Sequence, residues 1–220
     1  MSMKGCRPLT DDEIDQIIKF LEFDSRKYPF RDTAMILLQI GTGFRIAGLL
    51  SIKVGDVYDV EKKKVLSEVT LARMNNKGKK ESHTVPIPDN CLPYLERYFK
   101  VWEQYFKQDL NAKDPLFPSE RKMEGELVPM SQRHARSYYE RAVDYCGLKG
   151  KVSTHSARKT LADRMMKATN GDIIAVSTAL GHKNINSTMA YIKKDTEKVK
   201  NLMQSFGQTS IKDSKTEKKN

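Results

Sequence analysis

The sequence predicts an α+β fold, mostly helical, with one small antiparallel sheet of about three strands. Three observations predict it. Apolar residues recur at helical spacing over most of the chain. That period gives way to a two-residue alternation only between about residues 54 and 88. The 220 residues contain no internal repeat and no clear linker, which suits a single domain.

The elements follow in order. Thr10-Asp11-Asp12-Glu13 reads as a capping box. Ile14, Ile17, Ile18 and Leu21 then form the apolar stripe of a first helix. A second helix is expected over 31–40, ending at Gly41-Thr42-Gly43, with a short third over 45–50. Residues 54–60 and 64–74 read as strands, and 75–80 (NNKGKK) as a turn. Residues 84–88 read as an edge strand, because Pro86 and Pro88 would interrupt a central one. His83, just before it, is expected to be an exposed strand residue.

Asp89 is expected to cap a long helix carrying Leu92, Leu95, Phe99, Trp102 and Phe106. Residues 114–118 read as a loop with apolar anchors. Ser131 caps the next helix, which Gly147 ends. Thr154 is expected to cap a helix to about 167. Another runs over 172–180 and closes at Gly181, and Asn186 opens the helix that carries Tyr191. A last amphipathic helix is expected near 196–206, before a polar, disordered basic tail over 209–220. The folded domain is therefore placed at 1–208.

Composition limits function. Lys and Arg number 39 against 28 acidic residues, a net charge of +11, and the basic residues recur along the whole chain. That favours a polyanionic partner, nucleic acid first. No apolar run approaches the ~20 residues that span a bilayer. The N-terminal MSMKGCRPLT is too polar for a signal peptide. Three scattered cysteines without Cys-x-x-Cys spacing argue against a disulfide scaffold and a zinc site. A cytoplasmic protein without metal or other cofactor is the expectation.

Three short motifs carry chemistry. Gly41-Thr42-Gly43-Phe44-Arg45 is a glycine turn that ends in an arginine at a helix start. His155-Ser156-Ala157-Arg158 places a histidine and an arginine one helical turn apart, on one face. Leu180-Gly181-His182 precedes Tyr191 by nine residues. With the turn lysines, these types fit phosphodiester cleavage. Two arginines can clamp the nonbridging oxygens. A tyrosine with pKa near ~10 becomes a nucleophile when its anion is stabilised or its proton removed, which a histidine can assist. A lysine on a turn can protonate the departing sugar oxygen. Fixed cations replace a metal, and no carboxylate cluster is present to hold two of them.

In this order and spacing, the chain resembles the catalytic domain of the tyrosine recombinases, the phage integrase family, whose chemistry type IB topoisomerases share. The resemblance covers roughly residues 9–206. Thr42-Gly43-Phe44-Arg45 matches the first arginine motif, and Lys77 the lysine of a β-hairpin turn, with Lys79 as the alternative. His155-Ser156-Ala157-Arg158, Leu180-Gly181-His182 and Tyr191 match the His-x-x-Arg motif, the second histidine motif and the nucleophile.

The resemblance implies a site-specific recombinase of integrase, excisionase or inverter type. Tyr191 would attack the scissile phosphate and form a 3'-phosphotyrosyl link, without metal or ATP. Arg45 and Arg158 would hold the phosphate, Lys77 would be the general acid, His155 would assist at the tyrosine, and His182 would hydrogen-bond a phosphate oxygen. Arg73, Lys79, Lys80, Arg133, Arg136, Lys151, Ser156 and Lys159 flank these positions and would touch the DNA backbone. The partner is double-stranded DNA, bound by a homotetramer on paired sites, with a monomer when free and room for accessory DNA-bending proteins. A type IB topoisomerase-like relaxing enzyme and a non-catalytic DNA-binding regulator are the alternatives. The chain departs from the family pattern at Gly48, where an acidic residue is common, and at its start, where no complete N-terminal core-binding domain precedes the first helix.

Overall fold

The computed structural model describes residues 5–23, 27–72, 82–182, 186–189 and 203–204. Helix α1 (Asp11–Phe23) begins at the expected capping box: Glu13 N donates to Thr10 Oγ1 at 3.2 Å, and Thr10 N donates to Glu13 Oε2 at 3.0 Å. Its Ile14, Ile17, Phe20 and Leu21 are buried against α2 (Pro29–Thr42). α2 is the central helix, with every residue from 31 to 40 buried. It packs on α1, on α4 (Leu92–Lys100) and on α7 (Thr154–Ala168). A helix walled on three sides cannot stay amphipathic, and this one buries Arg31 and Asp32 as an ion pair. Arg31 also donates to the carbonyl of Pro118 at 2.8 Å and to the hydroxyl of Tyr138 at 2.7 Å, so the buried charge is hydrogen-bonded on several sides.

The β structure differs from one sheet of about three strands. Among the described residues it is three separate two-stranded antiparallel ladders. Val54–Asp56 is a 3₁₀ turn rather than strand, and β1 (Tyr58–Asp59) pairs with β2 (Lys64–Val65). β3 (Glu68–Leu71) pairs with β4 (His83–Pro86), Val69 facing Val85 and Leu71 facing His83. The expected strand over 64–74 is thus split, each half pairing with a different partner; its end and the turn at 75–80 lie outside the described residues. The third ladder joins β5 (Pro118–Met123) to β6 (Glu126–Pro129). It lies beyond the loop expected at 114–118, in a polar stretch without alternation, and turns at Glu124 and Gly125, both at positive φ.

The long helix expected after Asp89 is interrupted. A 3₁₀ turn, Asp89–Cys91, leads into α4, which breaks at Val101 before α5 (Trp102–Phe106). Past the break, Trp102 and Phe106 meet the Tyr98 ring in the main core, the first tilted and the second edge-on. Ser131 caps α6 (Gln132–Tyr145), accepting from His134 N, and Gly147 follows at positive φ, both as expected.

At α7 the cap is Ser153, not Thr154. Ser153 Oγ accepts from the amide of His155, and Ser156 Oγ accepts from Ser153 N. Helix α8 (Ile173–Ala179) is capped by Asp172, and α9 (Asn186–Met189) starts at Asn186. Of the expected last helix only Met203 and Gln204 are described, both helical and exposed. The tail over 209–220 lies outside the described residues. Among the described residues, two clusters of buried apolar residues result. The main one spans α1 to α7, and a small one joins Ala162 of α7 to Val176 and Leu180, padded by Leu161, Met165 and Met166.

Candidate functional site

The first arginine motif is a helix stop. Gly43 ends α2 at φ 64°, and its amide donates back to Gln39 O at 2.9 Å. A side chain there would suffer twice, since left-handed backbone disfavours a Cβ and a Cβ would lie 2.8 Å from Leu161 and 3.0 Å from Leu180. Thr42 turns its hydroxyl back onto Leu38 O. Phe44 is buried and anchors the turn, so Arg45, the N-cap of α3 (Ile46–Leu49), emerges exposed. Gly48 on α3 lies under Leu71 of β3: a Cβ would sit 2.9 Å from Leu71 Cδ2. A leucine fills the space an acidic side chain would need.

Gln39, fully buried, fastens this turn to the rest. Its amide nitrogen donates to Phe44 O at 3.3 Å and to Thr154 O at 3.2 Å, and its carbonyl oxygen accepts from Tyr139 OH at 2.6 Å. Burial pushes the Tyr139 phenol far up, so it stays a neutral donor.

α7 carries the second pair. His155 on its first turn is exposed, and Arg158, one turn later, is 4% exposed. The spacing expected to put both on one face holds them close, yet only the histidine reaches solvent. Arg158 donates from Nη1 to Gly43 O at 2.5 Å and from Nη2 to Leu180 O at 2.7 Å. One guanidinium thus joins the glycine turn before Arg45 to the residue two before His182. His155 titrates below its ordinary value of 6.5. Partial desolvation is the main cause, with the positive charges of Arg45, Arg136, Arg158 and Lys159 adding to it. These five residues therefore share one electrostatic neighbourhood.

The third motif is a Schellman helix end. Gly181 has φ 58°, its amide donates to Thr178 O at 2.8 Å, and His182 N donates to Ser177 O at 2.8 Å. His182 emerges half-buried, with Nδ1 at 2.8 Å from Oγ1 of buried Thr188 on α9. Arg45, His155, Arg158 and His182 are thus connected through a few backbone groups. Tyr191 and Lys77 lie outside the described residues, as do Arg73, Lys79 and Lys80.

The remaining expected contacts differ in exposure. Arg133 and Arg136 are exposed on α6, and Lys151 is exposed ahead of α7. Lys159 is half-buried on α7. Ser156 is fully buried and occupied in the helix cap, so it presents no hydroxyl to a surface phosphate. Among the described residues, no group of three His, Cys, Asp or Glu could hold a metal ion. The three cysteines are unpaired.

Two residues of the site were not singled out by motif. A polar residue among Leu37, Leu38 and Ile40 was the signal for Gln39. His83 was expected to be exposed, but it is half-buried, on the same strand face as buried Val85, while Thr84 and Pro86 are exposed. Counting back by two from Val85 would have turned it inward. Its Nε2 donates to Ala179 O at 3.0 Å, and its ring meets Phe44 edge-on at 6.0 Å.

The family model of the phage integrase family matches residues 7–198. The tyrosine recombinase XerC of Actinobacillus pleuropneumoniae is 32% identical over 184 residues, covering 83% of this chain and 54% of the relative. The chain thus spans about half the length of curated relatives it matches. In fold it is similar to XerH site-specific recombinase solved in a post-cleavage complex with palindromic difH substrate (TM-score 0.67, 20% identity, covering 93% of this chain and 54% of the other). It is also similar to the catalytic domain of bacteriophage HP1 integrase (TM-score 0.54, 18% identity, covering 90% and 95%). With its motifs in family order and its fold that of these enzymes, this chain belongs to the phage integrase family.

Proposed function

We infer that residues 1–208 act as the catalytic domain of a site-specific DNA recombinase that cuts and rejoins duplex DNA through a 3'-phosphotyrosyl intermediate. The observation that carries this reading is Arg158, bonded to both Gly43 O and Leu180 O, because it gathers the three motifs at one place.

Tyr191 attacks the scissile phosphorus, and the 5'-oxygen departs with a proton from Lys77. A 5'-hydroxyl of another strand reverses the step and reseals the DNA. Each step exchanges one phosphoester for another, so no ATP is consumed. Arg45 and Arg158 supply positive charge for the phosphorane oxygens. His155, whose neutral form is favoured first by desolvation and then by the cations around it, accepts the tyrosine proton. His182, its ring set by Thr188, hydrogen-bonds a phosphate oxygen. Exposed Arg133, Arg136 and Lys151 contact the backbone of the duplex, and four chains assemble on paired target sites because two duplexes need four cuts.

A suicide duplex, nicked beside the scissile phosphate, tests this. The wild-type chain is expected to form a covalent adduct that survives EDTA, and Tyr191→Phe to form none. An adduct in that variant would overturn the assignment. Relaxation of supercoiled plasmid without any target site would favour the topoisomerase-like alternative.

A further inference from the structure

We propose that His83 is a positioning residue, which ties the end of α8, and with it His182, to the main core of the protein. The proposal rests on the reading of the site given above.

The end of a helix leaves four carbonyls without helical donors. At α8 each finds one. Thr178 O accepts from Gly181 N and Ser177 O from His182 N, both within the turn. The other two depend on distant residues: Ala179 O accepts from His83 Nε2, and Leu180 O from Arg158 Nη2. The backbone leading into His182 is therefore held from outside by two side chains, one from β4 and one from α7.

The packing shows why a tether matters here. Val176 and Leu180 belong to the small cluster, whose partly buried members include Met165 and Met166. Methionines adapt to shifted neighbours and specify position weakly. β4, by contrast, belongs to the main core. Val85 and Ile87 are buried in it, and the strand is paired with β3 over four residues. Thr70 Oγ1 and Thr84 Oγ1, at 2.8 Å, add a cross-strand hydrogen bond. His83 is also packed against Phe44, the buried anchor of the Arg45 turn. It thus sets α8 relative to the element that presents Arg45. A carbonyl accepts only from a protonated nitrogen, so Nε2 carries hydrogen, and the dipole of the helix end favours that donor.

The β4 end of the bond is the firmly held one, so losing the bond acts on His182 and not on the leaving-group acid. Three variants separate the ring from its donor: His83→Phe keeps the ring, His83→Gln keeps an amide donor, and His83→Ala keeps neither. His83→Phe and His83→Ala are expected to cut a suicide duplex roughly ten- to a hundredfold more slowly, with duplex affinity unchanged and His83→Gln partly restored. In hydrogen exchange on the free protein, amides 180–182 should exchange faster in His83→Phe at unchanged Tm.

A duplex with a 5'-bridging sulfur at the scissile phosphate needs no acid for its leaving group. It should rescue Lys77→Ala and leave the His83→Phe defect in place. Wild-type cleavage by His83→Phe, rescue of its defect by sulfur, or a rate loss that tracks a lowered Tm would each overturn the proposal. Absence of any adduct in the wild type would refute the catalytic reading instead, and the exchange rates would still decide whether the tether exists.

Discussion

Arg158 on α7 donates from Nη1 to the carbonyl of Gly43 at 2.5 Å, across 115 residues of chain. With its second bond to Leu180 O, it makes the arginine a structural member of the site as well as a source of charge. Arg158→Lys keeps the charge but loses the planar pair of donors. We expect adduct formation to fall at least a hundredfold in Arg158→Lys. Urea unfolding should lose about 2 kcal/mol, because one of two buried carbonyls is left without its donor.

Gln39 serves three partners at once. Gln39→Leu has nearly the same volume, but it strands the Phe44 and Thr154 carbonyls and the Tyr139 hydroxyl. Destabilisation of about 3 kcal/mol is expected in urea unfolding, larger than an average core substitution. Tyr139→Phe with Gln39→Leu should cost less than the sum of the two, since one stranded group is removed.

His155 sets a pH dependence. Its folded value lies below the ordinary 6.5, so the unfolded chain binds the proton more readily. The contribution of His155 to stability is whole above about 6.5 and is lost as pH falls through the lowered folded value. His155→Gln should flatten that part of the acid slope in unfolding experiments. An NMR titration should show the imidazole titrating below 6.5 in the free protein. Duplex DNA should move it upward, as phosphate offsets the cations around it.

Gly48 and Leu71 share one space. Gly48→Asp forces a Cβ and a carboxylate against buried Leu71 and is expected to cost about 2 kcal/mol. Combined with Leu71→Ala, it should show a favourable coupling of about 1 kcal/mol in a double-mutant cycle, since the smaller side chain at 71 makes room for the larger one at 48.

Duplex affinity should fall steeply with added salt, given a net charge of +11 and the exposed Arg133, Arg136 and Lys151. Arg133→Ala and Arg136→Ala should each reduce the slope of log K against log salt by about one, without changing sequence preference. An affinity flat across a salt series would exclude the electrostatic contact.

Much of this was legible in the sequence because the signals were local. The capping box at Thr10, the cap at Ser131 and the glycine stops at Gly43, Gly147 and Gly181 all depend on backbone groups within a few residues. What misled was also local. Two adjacent hydroxyls, Ser153 and Thr154, compete for one cap, and only the backbone conformation chose Ser153. The strand over 64–74 read as continuous because its alternation is continuous, whereas pairing partners broke it. The β5–β6 ladder lacks an alternating apolar face, since most of β5 is exposed.

The sequence by itself determined the helical class, most of the helix ends and the residues of the family motifs. Local spacing encodes these, through helix period, cap chemistry and positive-φ glycines. Only the tertiary structure decided that Arg158 is buried between two distant carbonyls, and that Gln39 and His83 fasten the motifs together. Those contacts join residues up to 115 positions apart. They depend on where α2, α7 and α8 come to rest against each other, which is settled by burial of apolar faces over the whole chain.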